Sequence, residues 1–132
     1  MRVMIALSLL LNILVLLPVC AGLIADASWA RASYGAATAA RGILLSIYLA
    51  IGVVSALLIL FRDPKPVAAL LSVQVVYKLT TPLTVGTIYN PVVVSNLGIA
   101  TFHAVTLFLI WRAGHVDARE PAVDSPVRPK SL

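Results

Sequence analysis

Charge is what this chain has least of. Five residues in 132 are acidic and 11% are charged with either sign, under half the share of an ordinary soluble domain. With 61% hydrophobic residues and a mean hydropathy of +1.01, the polar residues are too few to coat a compact body in water, which excludes a soluble globule. A single cysteine, Cys20, excludes an internal disulfide scaffold. Seven glycines and eight prolines exclude a collagen-like or low-complexity chain. Catalytic patterns are missing too: there is no paired carboxylate, no glycine-rich phosphate loop and no serine with a suitably spaced base. Two histidines and one cysteine cannot build a metal site by themselves. The sequence therefore points to a non-enzymatic protein without a cofactor. The net charge of +5 does not indicate nucleic acid, because the basic residues flank apolar runs and so report membrane orientation.

What is present is apolar length. A hydrocarbon core of about 30 Å needs roughly 20 residues of helix, and four such runs occur, at about 3–23, 42–61, 67–88 and 91–111. The expected fold is all-α, a polytopic four-helix antiparallel membrane bundle whose first partner is the lipid bilayer. Arg62-Asp63-Pro64-Lys65-Pro66 and Tyr89-Asn90-Pro91 mark two tight connections. Residues 112–132, with Pro121, Pro126 and Pro129 among charges, read as a disordered cytoplasmic tail. Seven basic residues (Arg2, Arg62, Lys65, Arg112, Arg119, Arg128, Lys130) fall on one side, and only Arg31 and Arg41 on the other. The positive-inside rule then places both termini in the cytoplasm and residues 24–41 outside. Trp29 and Tyr34 suit an interfacial helix in that outer loop, or a solvated linker. The first run is too long for a signal-peptide core and reads as an uncleaved helix.

The informative residues are polar ones inside the runs. Lys78 falls near the middle of the third, where a lysine costs on the order of 3 kcal/mol. No Asp or Glu occurs in any of the four runs to pair with it. The ammonium must snorkel, lose its proton, meet neutral acceptors, or face an anion from outside the chain. Folding the last two helices about Tyr89 and Asn90 sets Lys78 level with Thr101 and Phe102, and His103 level with Val76 and Tyr77. Asn12, Gln74, Tyr77, Lys78, Thr81 and His103 can thus form one midplane polar belt, the candidate ligand site. Pro82 removes a hydrogen bond one turn beyond Lys78, and Thr80, Thr81, Thr84 and Thr87 can satisfy backbone groups around it. Gly52 with Ala56 and Ala100 with Ala104 have the spacing that allows close helix packing. A shift of 64 residues aligns Pro18 and Gly22 with Pro82 and Gly86, a faint sign of a duplicated hairpin.

The stretches from Ala40 to Ile51, from Val73 to Pro82, from Asn90 to Asn96 and at Phe102-His103-Ala104 resemble the BphX-like family of small bacterial membrane proteins. The chain is also broadly similar to DoxX-type four-helix membrane proteins. The resemblance implies an inner-membrane location and a tie to aromatic catabolism, and it supplies no catalytic residues. Three functions are open at this stage. One is binding or passage of a small organic solute, aromatic or anionic, at the polar belt, with a homo-oligomer or membrane partner protein completing any pathway. Another is an accessory subunit whose partner supplies a carboxylate to Lys78, and the last is a quinone- or haem-binding subunit using His103.

Overall fold

The computed structural model describes residues 1–117. It contains α1 (Arg2–Ile24), α2 (Ser28–Tyr34), α3 (Ala39–Phe61), α4 (Pro64–Val85) and α5 (Pro91–Asp117), and no strand among the described residues. The helices α1, α3, α4 and α5 are long and apolar enough to cross a membrane, and they form the expected antiparallel bundle. Their outward faces carry side chains such as Leu14 (70% exposed), Leu60 (74%) and Leu83 (82%). An apolar exterior of this kind is a lipid-facing surface.

Local sequence explains where each helix starts and stops. Thr38 caps α3 by accepting a hydrogen bond from the Arg41 backbone N–H at 3.4 Å, and Asp63 caps α4 through the Lys65 N–H at 3.0 Å. Asn90 does the same for α5, its Oδ1 accepting from the Val92 N–H at 2.8 Å. Gly86 ends α4 in the left-handed region, with φ +75°, a conformation that glycine adopts without strain. Both α4 boundaries therefore lie three residues earlier than the expected 67–88. Pro64 and Pro66 sit in the first turn, where the missing N–H groups have no helical partner to lose. At the other extreme α5 continues to Asp117, so residues 112–117 of the expected disordered tail are helical. The remainder of that tail lies outside the described residues.

The bundle is two hairpins laid side by side. Helix α1 packs along α3 and α4 along α5, with α1 also touching α5, whereas α3 and α4 barely meet although only Arg62 and Asp63 join them. Apolar cores close the two ends. Leu16, Cys20, Leu23, Ala30, Tyr48 and Ile51 pack near α2, and Ile5, Leu9, Val67 and Leu71 pack at the opposite end. Gly52 and Ala56 border a shallow apolar groove beside Leu17 and Leu49, while the buried seam of α3 is made by Tyr48, Ile51 and Ser55. The proposed close-packing role of that pair therefore passes to other residues. The duplicated-hairpin pattern is also imperfect, since Gly22 lies inside α1 while Gly86 terminates α4.

The linker between α1 and α3 contains the short interfacial helix α2, which is fastened along its whole length. Arg41, almost wholly buried, donates to the carbonyls of Gly35 (2.8 Å) and Leu23 (3.2 Å) and to Asp26 Oδ1 (2.6 Å). Arg31 completes the cluster at 3.0 Å from Asp26 Oδ2. The C-terminal end of α2 is tied to the other hairpin, because Asn90 Nδ2 donates to the Ser33 carbonyl at 2.9 Å. Trp29 lies against Gly22 so closely that a Cβ at that position would enter the indole ring. Gly22→Val is accordingly expected to dislodge α2 and to cost about 1–3 kcal/mol. In a Trp111→Phe background the Trp29 emission should shift to the red, and unchanged emission and stability would show that the ring does not rest there.

Candidate functional site

The helical rise of 1.5 Å per residue orders the buried polar groups by depth below the end of the bundle that carries α2. Thr81 and Asn96 lie about 6–8 Å in, Lys78 about 10 Å, Gln74, Asn12 and His103 about 16–18 Å, and Ser8 with Thr106 about 23 Å. The single midplane belt expected from sequence is therefore a series of layers, and Lys78 is displaced about 5 Å from the middle of α4 toward the α2 end. The cause is the early stop of α4. Because residues 86–90 are not helical, the point about which α4 and α5 fold moves back, and the level partner of Lys78 moves about three residues from Thr101 toward Asn96.

In the upper layer Lys78, 3% exposed, donates from Nζ to Asn96 Oδ1 at 3.0 Å. Its ammonium also lies 4.8 Å from the centroid of the Tyr77 ring, a cation–π contact. The Asn96 Nδ2 donates to Thr81 Oγ1 at 3.3 Å, and the Thr81 hydroxyl in turn donates to the Tyr77 carbonyl at 3.0 Å. Of the four outcomes open to Lys78, the structure realises the neutral acceptor. Pro82 belongs to the same arrangement. It lies inside α4, where threonine hydroxyls bond main-chain carbonyls around it: Thr80 to Tyr77 at 2.8 Å and Thr84 to Thr81 at 3.1 Å.

The deeper layer is built on Asn12. Its Nδ2 donates to Ser55 Oγ at 3.0 Å and its Oδ1 lies 3.0 Å from His103 Nε2, so one amide joins α1, α3 and α5. With Asn12 Oδ1 as acceptor, Nε2 carries the imidazole proton and Nδ1 presents its lone pair. Below this, Ser8 and Thr106 hydroxyls meet at 2.8 Å. His103 thus bonds Asn12 rather than joining the Lys78 layer. Gln74 shares its depth, and Gln74 Nε2, Tyr77 Oη and His103 Nδ1 are the buried side-chain atoms without a hydrogen-bond partner among the described residues. Each is a buried polar atom able to receive a further polar group: Gln74 Nε2 as donor, His103 Nδ1 as acceptor, and Tyr77 Oη in the upper layer as either.

Above the upper layer is a cavity of about 540 Å³ that occupies the gap left between α3 and α4. Tyr34, Tyr48 and Tyr77 supply its aromatic wall, Thr80, Thr81 and Thr84 one face, and Asn90 and Asn96 two amides. Helix α2 covers it through Ser33 and Tyr34. Tyr34 and Tyr48 stand edge to face, centroids 6.2 Å apart. Burial, reinforced by Tyr48, pushes the Tyr34 phenol well above its ordinary range, so it is a neutral hydroxyl at any physiological pH.

Of the six residues singled out from sequence, Lys78, Tyr77 and Thr81 are brought together at the cavity. Asn12 and His103 form the deeper pair, with Gln74 level with them. Sequence reasoning missed Asn96, Ser55, Ser8, Thr106 and the tyrosine wall. Asn96 had a usable signal: it is an amide in an apolar run, seven residues before His103 and so on the same helical face.

Removing the Asn12 amide should separate structural from incidental contacts. Asn12→Leu leaves the His103 Nε2–H and the Ser55 hydroxyl unpaired in hydrocarbon, at a cost of about 1–3 kcal/mol. Adding His103→Leu should then cost less than it does alone, with a coupling of about 0.5–2 kcal/mol in a double-mutant cycle. Additive effects on unfolding from detergent micelles would show that the pair is not formed. Comparison with family models, with curated proteins and with solved structures gave no match to this chain.

Proposed function

We propose that this protein is a non-enzymatic membrane protein that binds, and in a homo-oligomer or with a partner passes, a small organic solute of aromatic or anionic character. The observation that carries this reading is that the tyrosine-walled cavity is lined by the two residues, Asn96 and Thr81, that hold the buried lysine system. Its volume of about 540 Å³ lies in the range of small-molecule sites, about 300–1,000 Å³. Aromatic walls with a few convergent polar groups are the usual composition of such sites. The resemblance to the BphX-like family fits the same reading, as does a bacterial inner-membrane setting with both termini in the cytoplasm and α2 on the outer face. The redox alternative finds less support, because His103 is wholly buried and is not among the residues that line the cavity.

Two measurements test the reading. In lipid nanodiscs, benzyl alcohol and benzoate serve as neutral and anionic aromatic probes by saturation-transfer NMR. Thr84→Trp, which fills the cavity from an exposed position on α4, should abolish binding of whichever probe the wild type binds while leaving the helical circular dichroism unchanged. Binding of neither probe by the wild type would overturn the proposal. For orientation, a Cys20→Ala background carrying Ser28→Cys should react with an impermeant maleimide on intact cells, and Lys65→Cys only after lysis. The reverse pattern would invert the topology.

A further inference from the structure

We infer that the Asn96 side of this cavity is built to select a monocarboxylate, received by the Asn96 amide with the Lys78 charge behind it. This rests on the cavity being a binding site and narrows what it takes. Asn96 both lines the cavity and touches Lys78, whereas the lysine is shielded from solvent. With Oδ1 turned to the ammonium, the amide presents its Nδ2 toward Thr81, which is itself in the cavity wall. An amide nitrogen has two hydrogens, and Thr81 accepts one. The second lacks an acceptor in the described hydrogen bonds of the layer. A cation drawing on the carbonyl oxygen polarises the amide and strengthens its N–H as a donor. The threonine face contributes no competing donors, because Thr80, Thr81 and Thr84 each give their hydroxyl hydrogen to a main-chain carbonyl of α4. Asn96 Nδ2 is therefore the donor that the Lys78 charge strengthens, with the tyrosine hydroxyls of the wall available beside it.

Charge count fixes the valence. Away from the helix ends the four spans contain one ionisable cation, Lys78, and no Asp or Glu. A monoanion leaves the site neutral in a low-dielectric surround, a dianion leaves an uncompensated negative charge, and a cation adds to the one present. The ring faces of Tyr34, Tyr48 and Tyr77 along the rest of the cavity favour an aromatic body over an alkyl chain, through edge-to-face contacts. The class is thus a small aromatic monocarboxylate. A lipid-derived fatty acid shares the carboxylate and is separated by the test.

Asn96→Asp gives the discriminating variant, because it supplies Lys78 with its own carboxylate and so preserves the fold while occupying the charge. In nanodiscs, wild type should bind benzoate at least tenfold more tightly than benzyl alcohol. Asn96→Asp should lose benzoate affinity tenfold or more and keep that for benzyl alcohol within about twofold. Lys78→Met should shift the two probes in the same directions. Benzyl alcohol binding without a preference for benzoate, or a preference that survives Asn96→Asp, overturns the inference and leaves the cavity reading standing. Laurate binding more tightly than benzoate overturns the aromatic assignment in favour of a lipid acid. Binding of no probe removes both the inference and the reading beneath it.

Discussion

The constraint on which this structure rests is that hydrocarbon supplies no hydrogen bonds, so a polar side chain within a membrane span must find its partner inside the protein, and one that cannot reach its own backbone must find it on another helix. Asn12 meets that constraint most fully, because its two amide atoms reach α3 and α5 at once. Apolar packing between helices gives little orientation in lipid, where the surround is as apolar as the interface. Directional bonds from one residue to two neighbours fix rotation as well as proximity. The Ser8–Thr106 contact one turn below sets α1 against α5 a second time. Large apolar side chains such as Leu14, Leu60 and Leu83 face outward, while Ser8, Asn12, Ser55, His103 and Thr106 are buried.

Lys78 is the exception that needs its own support. An amide oxygen and a ring face hold it, and no carboxylate does. Such a solution keeps the positive charge in the bundle uncompensated by the spans themselves, which is costly unless the surroundings are polarisable or hydrated. The cavity above it has that character, with two asparagines, three tyrosines and three threonines in its wall. Its existence follows from the hairpin arrangement. The two-residue link between α3 and α4 joins them at one end only, and α2, anchored by Arg41 to α1 and by Asn90 to α5, roofs the opening at the other.

The four spans were legible from sequence because twenty apolar residues in a row have few alternatives to a membrane helix. The interfacial helix was legible as one of two options, and Trp29 and Tyr34 do pack there. Depth was read less well. Gly86 stops α4 three residues before the expected limit, which hydropathy does not mark, and the resulting slide displaced every level drawn from the turn at Tyr89 and Asn90. Serine and threonine were overlooked for a different reason. Either can satisfy itself against its own helix, as Thr101 does on the Leu97 carbonyl at 2.9 Å, so nothing in the sequence separates Ser55 and Thr106, which reach across, from Thr101, which does not. Asn12, Gln74, Lys78 and His103 stood out because they cannot be satisfied that way.

The two ends of the bundle differ in what they permit. Below the Asn12 layer, Ile5, Leu9, Val67 and Leu71 are completely buried and close the interior from α1 to α4. Under the proposed function, a solute lodged on Asn96 would sit on the α2 side of this apolar plug. Passage to the other face requires that plug to open, which means moving the α4–α5 hairpin against α1 and α3. The barrier to such a movement is lowest where the hairpins touch least, between α3 and α4, and α4 carries Pro82, with its missing main-chain hydrogen bond, beside the cavity. The Asn12 amide opposes it, since separating α1 from α5 strands the imidazole N–H and a hydroxyl together. Binding near Lys78 and opening below Asn12 are therefore separate events in this architecture, the first using groups already in place and the second requiring the bundle's most connected polar residue to let go.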